Sequence, residues 1–246
     1  MSTATLDKPA AHPVAAPSPK DGFANGHVAR APLYTVADWE RFEEGKLHRY
    51  QLREGRFIEM PGGTYEHSAI ISDFHVALSL AVRAVGCETL PSDQRIYIAN
   101  EHGLYADICV LCGKPQIGAS NTLLNPVLVV EVLSPSTAAD DRGDKFAKYR
   151  TRPTLSHYVL VEQHKPSVEH YERVPRSGEP IDGGDSGIWS LVAEHHDIAE
   201  TLTVTLNGGV VLVPLADMYR RVEFTEIGTD VADVETDDAD DESSAP

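Results

Sequence analysis

Two acidic residues stand alone inside apolar segments that otherwise have the composition of buried β-strands. Asp107 lies within residues 105–111, and Glu131 lies within residues 127–133. Side chains alternate between the two faces of a strand, so Glu131 is predicted to point into the same apolar layer as its neighbours two positions away. An unpaired carboxylate buried there costs several kcal/mol or stays protonated. The chain must therefore supply a compensating group.

A divalent cation held between the two acids would supply that compensation and would also form a catalytic site. The acids are 24 residues apart, which leaves room for a strand, a loop and a returning strand. Hydrolysis of a phosphodiester needs an activated water and relief of charge on the phosphate, which two metal-binding carboxylates and a nearby lysine can provide. Lys145 lies 14 residues after Glu131, in a predicted helix where it shares a face with Tyr149.

The spacing of apolar and turn residues predicts an α+β (α/β-type) core with one mixed sheet flanked by helices. A short helix is expected at residues 35–45 and a long amphipathic helix at 65–85. A further helix should begin after Ser136 or Thr137 and run to about Arg152. Strands are predicted within residues 50–60 as a pair, then at 88–90, 95–99, 105–111, 127–133, 157–162 and 167–172, with an extra C-terminal β-hairpin at 201–213.

Composition divides the chain into three parts. Residues 1–31, rich in Ala and Pro, predict a disordered leader, residues 32–222 hold one domain, and residues 223–246 predict a disordered acidic tail. The tail carries ten acidic side chains and no basic one, while the middle part carries −8 of the total net charge of −17. This balance weighs against strong non-specific binding of nucleic acid by the free chain.

The cysteines and the hydropathy indicate a cytoplasmic protein. Three cysteines are too few, and odd in number, for a disulfide framework. Cys109 and Cys112 have no second ligand pair, so no zinc site is expected there. The sequence has no run of about 18 apolar residues and no apolar signal segment. We therefore expect a reducing location and no membrane partner.

Asp107 in its apolar segment is followed by three short segments that carry a resemblance: Leu128-Val-Val-Glu-Val-Leu-Ser-Pro-Ser136, Lys145-Phe-Ala-Lys-Tyr149 and Tyr158-Val-Leu-Val161. In combination they resemble the Uma-two family, a group assigned as restriction endonucleases within the PD-(D/E)XK nuclease superfamily. The resemblance covers about residues 35–219 and leaves both ends of the chain unexplained.

The resemblance implies a restriction-endonuclease-like core with a metal site. Asp107 and Glu131 would bind Mg²⁺, for which Mn²⁺ can substitute, and the backbone carbonyl of Val132 would complete the site. The proline that the family prefers before the Asp is Ala106 here, which leaves the ligand itself in place. The alternatives are structural: a buried ion pair for Glu131, and hydrogen bonds to backbone amides for Asp107.

The resemblance also identifies the catalytic candidates. The superfamily lysine two residues beyond the Glu is Leu133 here, and Lys145 is its replacement, which would position water or stabilise the transition state. His67 and Tyr149 are lesser candidates. The alternatives are an ion pair between Lys145 and Asp141 at i−4, a capping or surface role for His67, and a packing role for Tyr149.

These observations predict a Mg²⁺-dependent endonuclease that hydrolyses phosphodiester bonds of DNA. Two other functions stay open. One is a binding or regulatory protein that keeps the nuclease fold without efficient chemistry, which Leu133 and the acidic core favour. The other is a metal-dependent phosphoesterase acting on RNA or nucleotides. A homodimer is expected only by analogy, because cutting two strands often needs two sites.

Overall fold

The structure, a computed structural model, describes residues 33–175 and 187–224. The predicted leader, and residues 225–246 of the predicted acidic tail, lie outside the described residues. The helices described are α1 (Trp39–Glu43), α2 (Tyr65–Val82), α3 (Ala138–Arg142), α4 (Asp144–Tyr149) and α5 (Leu215–Met218). The strands described are β1 (Tyr50–Arg53), β2 (Arg56–Glu59), β3 (Cys87–Pro91), β4 (Arg95–Ala99), β5 (His102–Tyr105), β6 (Ile108–Cys112), β7 (Leu128–Leu133), β8 (His157–Glu162), β9 (Val168–Pro175), β10 (Gly187–His195), β11 (Thr201–Leu206) and β12 (Gly209–Pro214).

The central element is a six-stranded mixed sheet with the order β10-β9-β8-β7-β6-β3. Its neighbours pair antiparallel except β7 and β8, which run parallel. A parallel pair needs a crossover connection, and α3 and α4 provide it. The predicted α+β fold with a mixed sheet and a C-terminal hairpin, β11–β12, is confirmed. The structure adds a second, four-stranded sheet with the order β2-β1-β5-β4.

One face of the central sheet is covered by α2 and by the β11–β12 hairpin. Ile70, Phe74 and Leu78, spaced four residues apart on α2, are fully buried in the core that also contains Val130 of β7. By length and composition alone, the helix Tyr65–Val85 could cross a membrane, although it contains no unbroken run of about 18 apolar residues. Its packing against the sheet is that of a core helix.

The other face of the sheet is covered by α3 and α4. The sequence predicts one continuous helix here, but the structure breaks it at Gly143, whose ψ of −104° lies outside the helical range. A β-carbon at this position would lie 2.9 Å from the carbonyl oxygen of Ala139, so the turn needs glycine. After the break, Lys145 and Tyr149 are both buried against the sheet, which agrees with their predicted common face.

A disulfide joins Cys87 of β3 to Cys112 of β6. The two residues are directly opposite each other in the antiparallel pair. The number of cysteines did not predict this bond, because only the strand pairing brings the two side chains together. Cys109 and Cys112 are three residues apart on one strand, so their side chains are predicted to lie on opposite faces of the sheet. Cys109 is indeed buried in the core on the other face, and it is a free thiol.

Candidate active site

Strand pairing brings the two predicted acids together. In the antiparallel pair β6–β7, Ile108 lies opposite Val130 and Cys109 lies opposite Val129. Extension of that register by one residue places Asp107 opposite Glu131. The antiparallel pair therefore brings the two acids to one cleft, with Asp107 one residue before the start of β6.

Asp107 does not lie within a strand, which corrects the expectation of one continuous strand over residues 105–111. It occupies the bend between β5 and β6, where the chain leaves the four-stranded sheet and enters the six-stranded sheet. Its Oδ2 atom accepts a hydrogen bond from the backbone N–H of Val132 at 2.7 Å. The side chain thus serves as an acceptor for β7 at the point where β6 begins, while it stays partly exposed to a cleft.

Glu131 and Lys145 form a buried ion pair. The Nζ atom of Lys145 lies 2.7 Å from Oε2 of Glu131 and 3.2 Å from Oδ1 of Asp141, and all three side chains are at most 8% exposed. The ion pairs considered as structural alternatives are therefore both present. The second oxygen of Glu131, Oε1, is buried and has no hydrogen-bond partner among the described residues.

At the inner end of the cleft, the Lys145 ammonium and the His67 imidazole face the carboxylates of Asp107, Glu131 and Asp141. Burial raises the pKa of Glu131 well above its ordinary value, and Asp107 and Asp141 add to this effect against the opposing influence of Lys145. Burial lowers the pKa of Lys145, but the nearby carboxylates outweigh it and hold that pKa above its ordinary value. The ammonium therefore stays charged, while burial and the neighbouring carboxylates disfavour the ionised form of Glu131.

His67 lies at the beginning of α2, and its ring is next to Asp107 and Val132. Its Nε2 atom is 2.9 Å from the Val132 carbonyl oxygen and 3.5 Å from Oδ2 of Asp107. Since a carbonyl only accepts, Nε2 carries a hydrogen and donates it. Burial lowers the pKa of His67, yet Asp107 and the Val132 carbonyl outweigh burial and raise it. Gly63 leaves room for this ring, because a β-carbon there would lie 2.7 Å from Nδ1.

Tyr149 and Leu133 are core residues under the site. Tyr149 is fully buried and packs against Tyr158 at a ring-centroid distance of 5.6 Å. Burial, followed by the charge of Glu131, raises the pKa of Tyr149, and the interaction of its hydroxyl with the Glu131 carboxylate adds to this effect. Leu133 lies in the same core, so the position of the superfamily lysine is filled by packing. Tyr149 is absent from the cleft surface.

Five of the predicted residues line one cleft with a volume of about 240 Å³: Asp107, Glu131, Val132, Lys145 and His67. Sequence reasoning missed a pair that also lines it. Arg53 of β1 donates two hydrogen bonds to Asp140 of α3, at 2.7 and 2.5 Å, and so joins the four-stranded sheet to α3 across the cleft.

Arg53 and Asp140 lie 87 residues apart on different elements, so no spacing rule could have linked them. Asp141 was considered only as a surface partner of Lys145, four residues before it in sequence. Its burial beside Glu131 follows from the way α3 and α4 pack on the sheet.

Comparison with known proteins identifies the family. The profile of Uma2, described as "Putative restriction endonuclease", matches residues 36–202. The chain is 32% identical over 150 residues to the uncharacterized protein sll1609 of Synechocystis sp. (strain PCC 6803), covering 60% of this chain and 85% of that protein. It is 30% identical over 171 residues to slr1290 of the same organism, covering 69% of this chain and 85% of the relative.

A solved structure shares the fold. The crystal structure of a "putative nuclease belonging to DUF820" from Anabaena variabilis superposes with a TM-score of 0.53 at 14% identity, covering 71% of this chain and 92% of the other. At that identity the likeness concerns the fold alone. Together with the family match over more than half of the chain, these findings show that the protein is a member of the Uma2 family with a nuclease fold.

Proposed function

We propose that the cleft is the active site of a Mg²⁺-dependent endonuclease that hydrolyses phosphodiester bonds of DNA. One observation carries this proposal: three carboxylates meet at the inner end of the cleft, and Oε1 of the buried Glu131 has no hydrogen-bond partner among the described residues. Lys145 pairs with Glu131 and Asp141, while Asp107 lies beside His67. A divalent cation would compensate that charge. It would also remove the repulsion that the carboxylates exert on an approaching phosphate.

The donor atoms fit a hard cation. The carboxylates of Asp107 and Glu131 and the carbonyl oxygen of Val132 offer oxygen only, which Mg²⁺ and Mn²⁺ prefer. Asp107 Oδ2 and the Val132 carbonyl each take part in a hydrogen bond with the protein, and each oxygen keeps a further lone pair. His67 Nε2 points its hydrogen at the carbonyl of Val132, so it is not proposed as a ligand.

The lysine of this site acts from a helix. When bound, Mg²⁺ would offset phosphate charge and acidify the attacking water. Lys145 stays protonated and is held by Glu131 and Asp141, so it can donate a hydrogen bond to the developing negative charge with little rearrangement. The family resemblance assigns Lys145 as the replacement of the lysine missing at Leu133. Its contact with Glu131 supports that assignment.

His67 and Tyr149 take supporting roles in this proposal. His67 lies beside Asp107, and its raised pKa lets it carry a proton near neutral pH. It can therefore donate that proton to the leaving oxygen. Tyr149 is fully buried and its hydroxyl interacts with the Glu131 carboxylate, so it is proposed as a positioning residue for that carboxylate.

The DNA substrate is proposed from the description of the family as restriction endonucleases. Cleavage of both strands of a duplex by one type of site is simplest with two copies of the chain, so a homodimer is part of the proposal. Light scattering of the purified protein measures that state independently of activity.

Plasmid cleavage tests the proposal. Supercoiled DNA is incubated with the full chain in Mg²⁺, Mn²⁺ or EDTA, and the variants Asp107→Ala and Asp144→Ala are compared. Asp144 is the matched control, because it is an exposed acid on α4 that pairs with Lys148. We expect metal-dependent nicking that falls at least about 100-fold in Asp107→Ala and persists in Asp144→Ala.

The other outcomes separate the alternatives. Cleavage that survives Asp107→Ala would place the chemistry elsewhere. Cleavage of RNA or nucleotides without cleavage of DNA would establish the phosphoesterase alternative. Metal binding without cleavage of any substrate would establish a binding or regulatory protein that keeps the nuclease fold.

A further inference from the structure

Two buried histidines face each other on the side of the central sheet away from Glu131. His157 begins β8, and His170 lies on the neighbouring strand β9. By alternation His157 shares the face of Val159 and Val161, which pack in the core beneath α2 and the β11–β12 hairpin. The pair is therefore separate from the cleft, which lies on the face covered by α3 and α4.

The two rings have the separation of a chelating pair. Nδ1 of His157 lies 3.1 Å from Nε2 of His170, and in the metal-free protein the two rings share a hydrogen bond that a metal ion would replace. Two donors bound to one tetrahedral zinc at ordinary Zn–N distances lie about 3.3 Å apart. Glu172 adds a third ligand, because the candidate donor atoms of His157, His170 and Glu172 all lie within 4.8 Å of one another.

A backbone carbonyl orients His157 for this role. Nε2 of His157 lies 3.0 Å from the carbonyl oxygen of Thr205 on β11, and only the ring nitrogen can donate in that contact. In the neutral ring, the Nδ1 atom that faces His170 then presents a lone pair. Metal-binding histidines usually donate their second N–H to such a carbonyl or carboxylate, which fixes the tautomer.

The surroundings keep both rings neutral and leave one nitrogen unsatisfied. Burial lowers the pKa of His157 and of His170 to about 4, so both are in the uncharged form that binds metal ions. Nε2 is the His170 nitrogen that faces His157, whereas the other ring nitrogen, Nδ1, is buried and has no hydrogen-bond partner among the described residues. Glu172 is partly exposed and gives the pair a path to solvent.

We propose that His157, His170 and Glu172 form a second metal site that takes Zn²⁺ or a similar transition-metal ion. Two imidazoles and one carboxylate are a ligand set of zinc sites that keep a fourth position for water. Mg²⁺ is disfavoured, because two of the three donors are nitrogen. Glu172 is partly exposed, and its carboxylate lies within 4.8 Å of the candidate donor atoms of both histidines.

The site would tie together elements distant in sequence. His157 and His170 come from paired strands, and the Thr205 carbonyl links the same ring to the hairpin. A metal that binds only the folded chain stabilises it by mass action. The second site is therefore a stabilising site on the face opposite the cleft.

Cobalt spectroscopy tests the proposal on the full chain. Co²⁺ in a tetrahedral nitrogen and oxygen site gives visible d–d absorption, and Zn²⁺ then displaces it. We expect one equivalent of Co²⁺ to produce this spectrum and one equivalent of Zn²⁺ to abolish it. Glu172→Gln and His170→Gln should each weaken Co²⁺ binding at least tenfold.

Three comparisons keep the result interpretable. Glu172→Gln alters a partly exposed side chain and preserves the buried pair, so loss of folding does not obscure the measurement. His48→Gln removes a surface histidine that lies 3.6 Å from Glu59 and should leave the spectrum unchanged. Asp107→Ala, which alters the cleft, should also leave it unchanged. Absence of the spectrum in the unaltered chain, or equal Co²⁺ affinity in Glu172→Gln, would overturn the proposal.

Discussion

The ammonium of Lys145 lies 2.7 Å from the carboxylate of Glu131, so a lysine on a helix after the strand contacts the acid in the middle of that strand. Leu133, two residues beyond Glu131, is packed in the core and cannot make this contact. The ion pair alone does not balance the site, because Asp107 and Asp141 act on the same ammonium. This imbalance underlies the proposed metal site.

Lys145→Met should destabilise the fold far more than Lys148→Met on the same helix. Removal of the Lys145 ammonium leaves buried carboxylates without a cation and should lower the free energy of unfolding by about 3–5 kcal/mol at pH 8. Lys148 pairs with the exposed Asp144 at 3.7 Å, so its loss should cost less than about 1 kcal/mol. Urea unfolding in EDTA measures both. Equal effects would show that Lys145 is not the main compensator of the buried acids.

His67 should give stability a pH dependence in the metal-free protein. Burial lowers its pKa, but Asp107 and Val132 outweigh burial and raise it above the ordinary value of 6.5. A raised pKa in the folded state stabilises the fold fully below pH 6.5, and the contribution is lost as pH rises through the folded pKa. Urea unfolding from about pH 6 to 8 should show this fall, and His67→Gln should remove it. A variant with the same pH slope as the unaltered chain would contradict this assignment.

Arg53→Ala should weaken the contact between β1 of the four-stranded sheet and α3. Arg53 makes two charge-assisted hydrogen bonds to Asp140 and is 17% exposed, so its loss should cost about 1–3 kcal/mol. Arg41→Ala is the control, because Arg41 pairs with Asp38 while 71% exposed and should contribute less than about 1 kcal/mol. Thermal unfolding compares the two. If both variants unfold at the same temperature, the Arg53–Asp140 pair does not stabilise the contact between β1 and α3.

Much of the fold follows from local patterns in the sequence. The left-handed turn at Asn207 and Gly208 fits the predicted hairpin, since both residues have positive φ, at 50° and 77°. The alternation of side chains around Glu131 correctly predicted that Glu131 lies on the same face of β7 as the residues two positions away. The strand β10 was missed, because its pairing with β9 shifts between Leu191 and Ala193 and the alternation of buried and exposed residues is broken there.

Only the part of the candidate site that depends on local sequence patterns could be predicted. Asp107, Glu131 and Lys145 could be identified, because each carries a charge within an apolar or helical pattern. Arg53 and the Cys87–Cys112 bond depend on how distant strands meet, and no period in the sequence encodes that. The position of Asp107 in a bend likewise depends on the change from one sheet to the other.

The most direct test of the central claim is calorimetric titration of the full chain with Mg²⁺ and Mn²⁺, compared with Glu131→Gln. We expect the unaltered chain to bind the cation and the variant to bind it at least tenfold more weakly. The metal-free variant should be as stable as the original or more stable, because burial disfavours the charge of Glu131. Failure of both cations to bind the unaltered chain, or equal binding by Glu131→Gln, would contradict the proposed metal site.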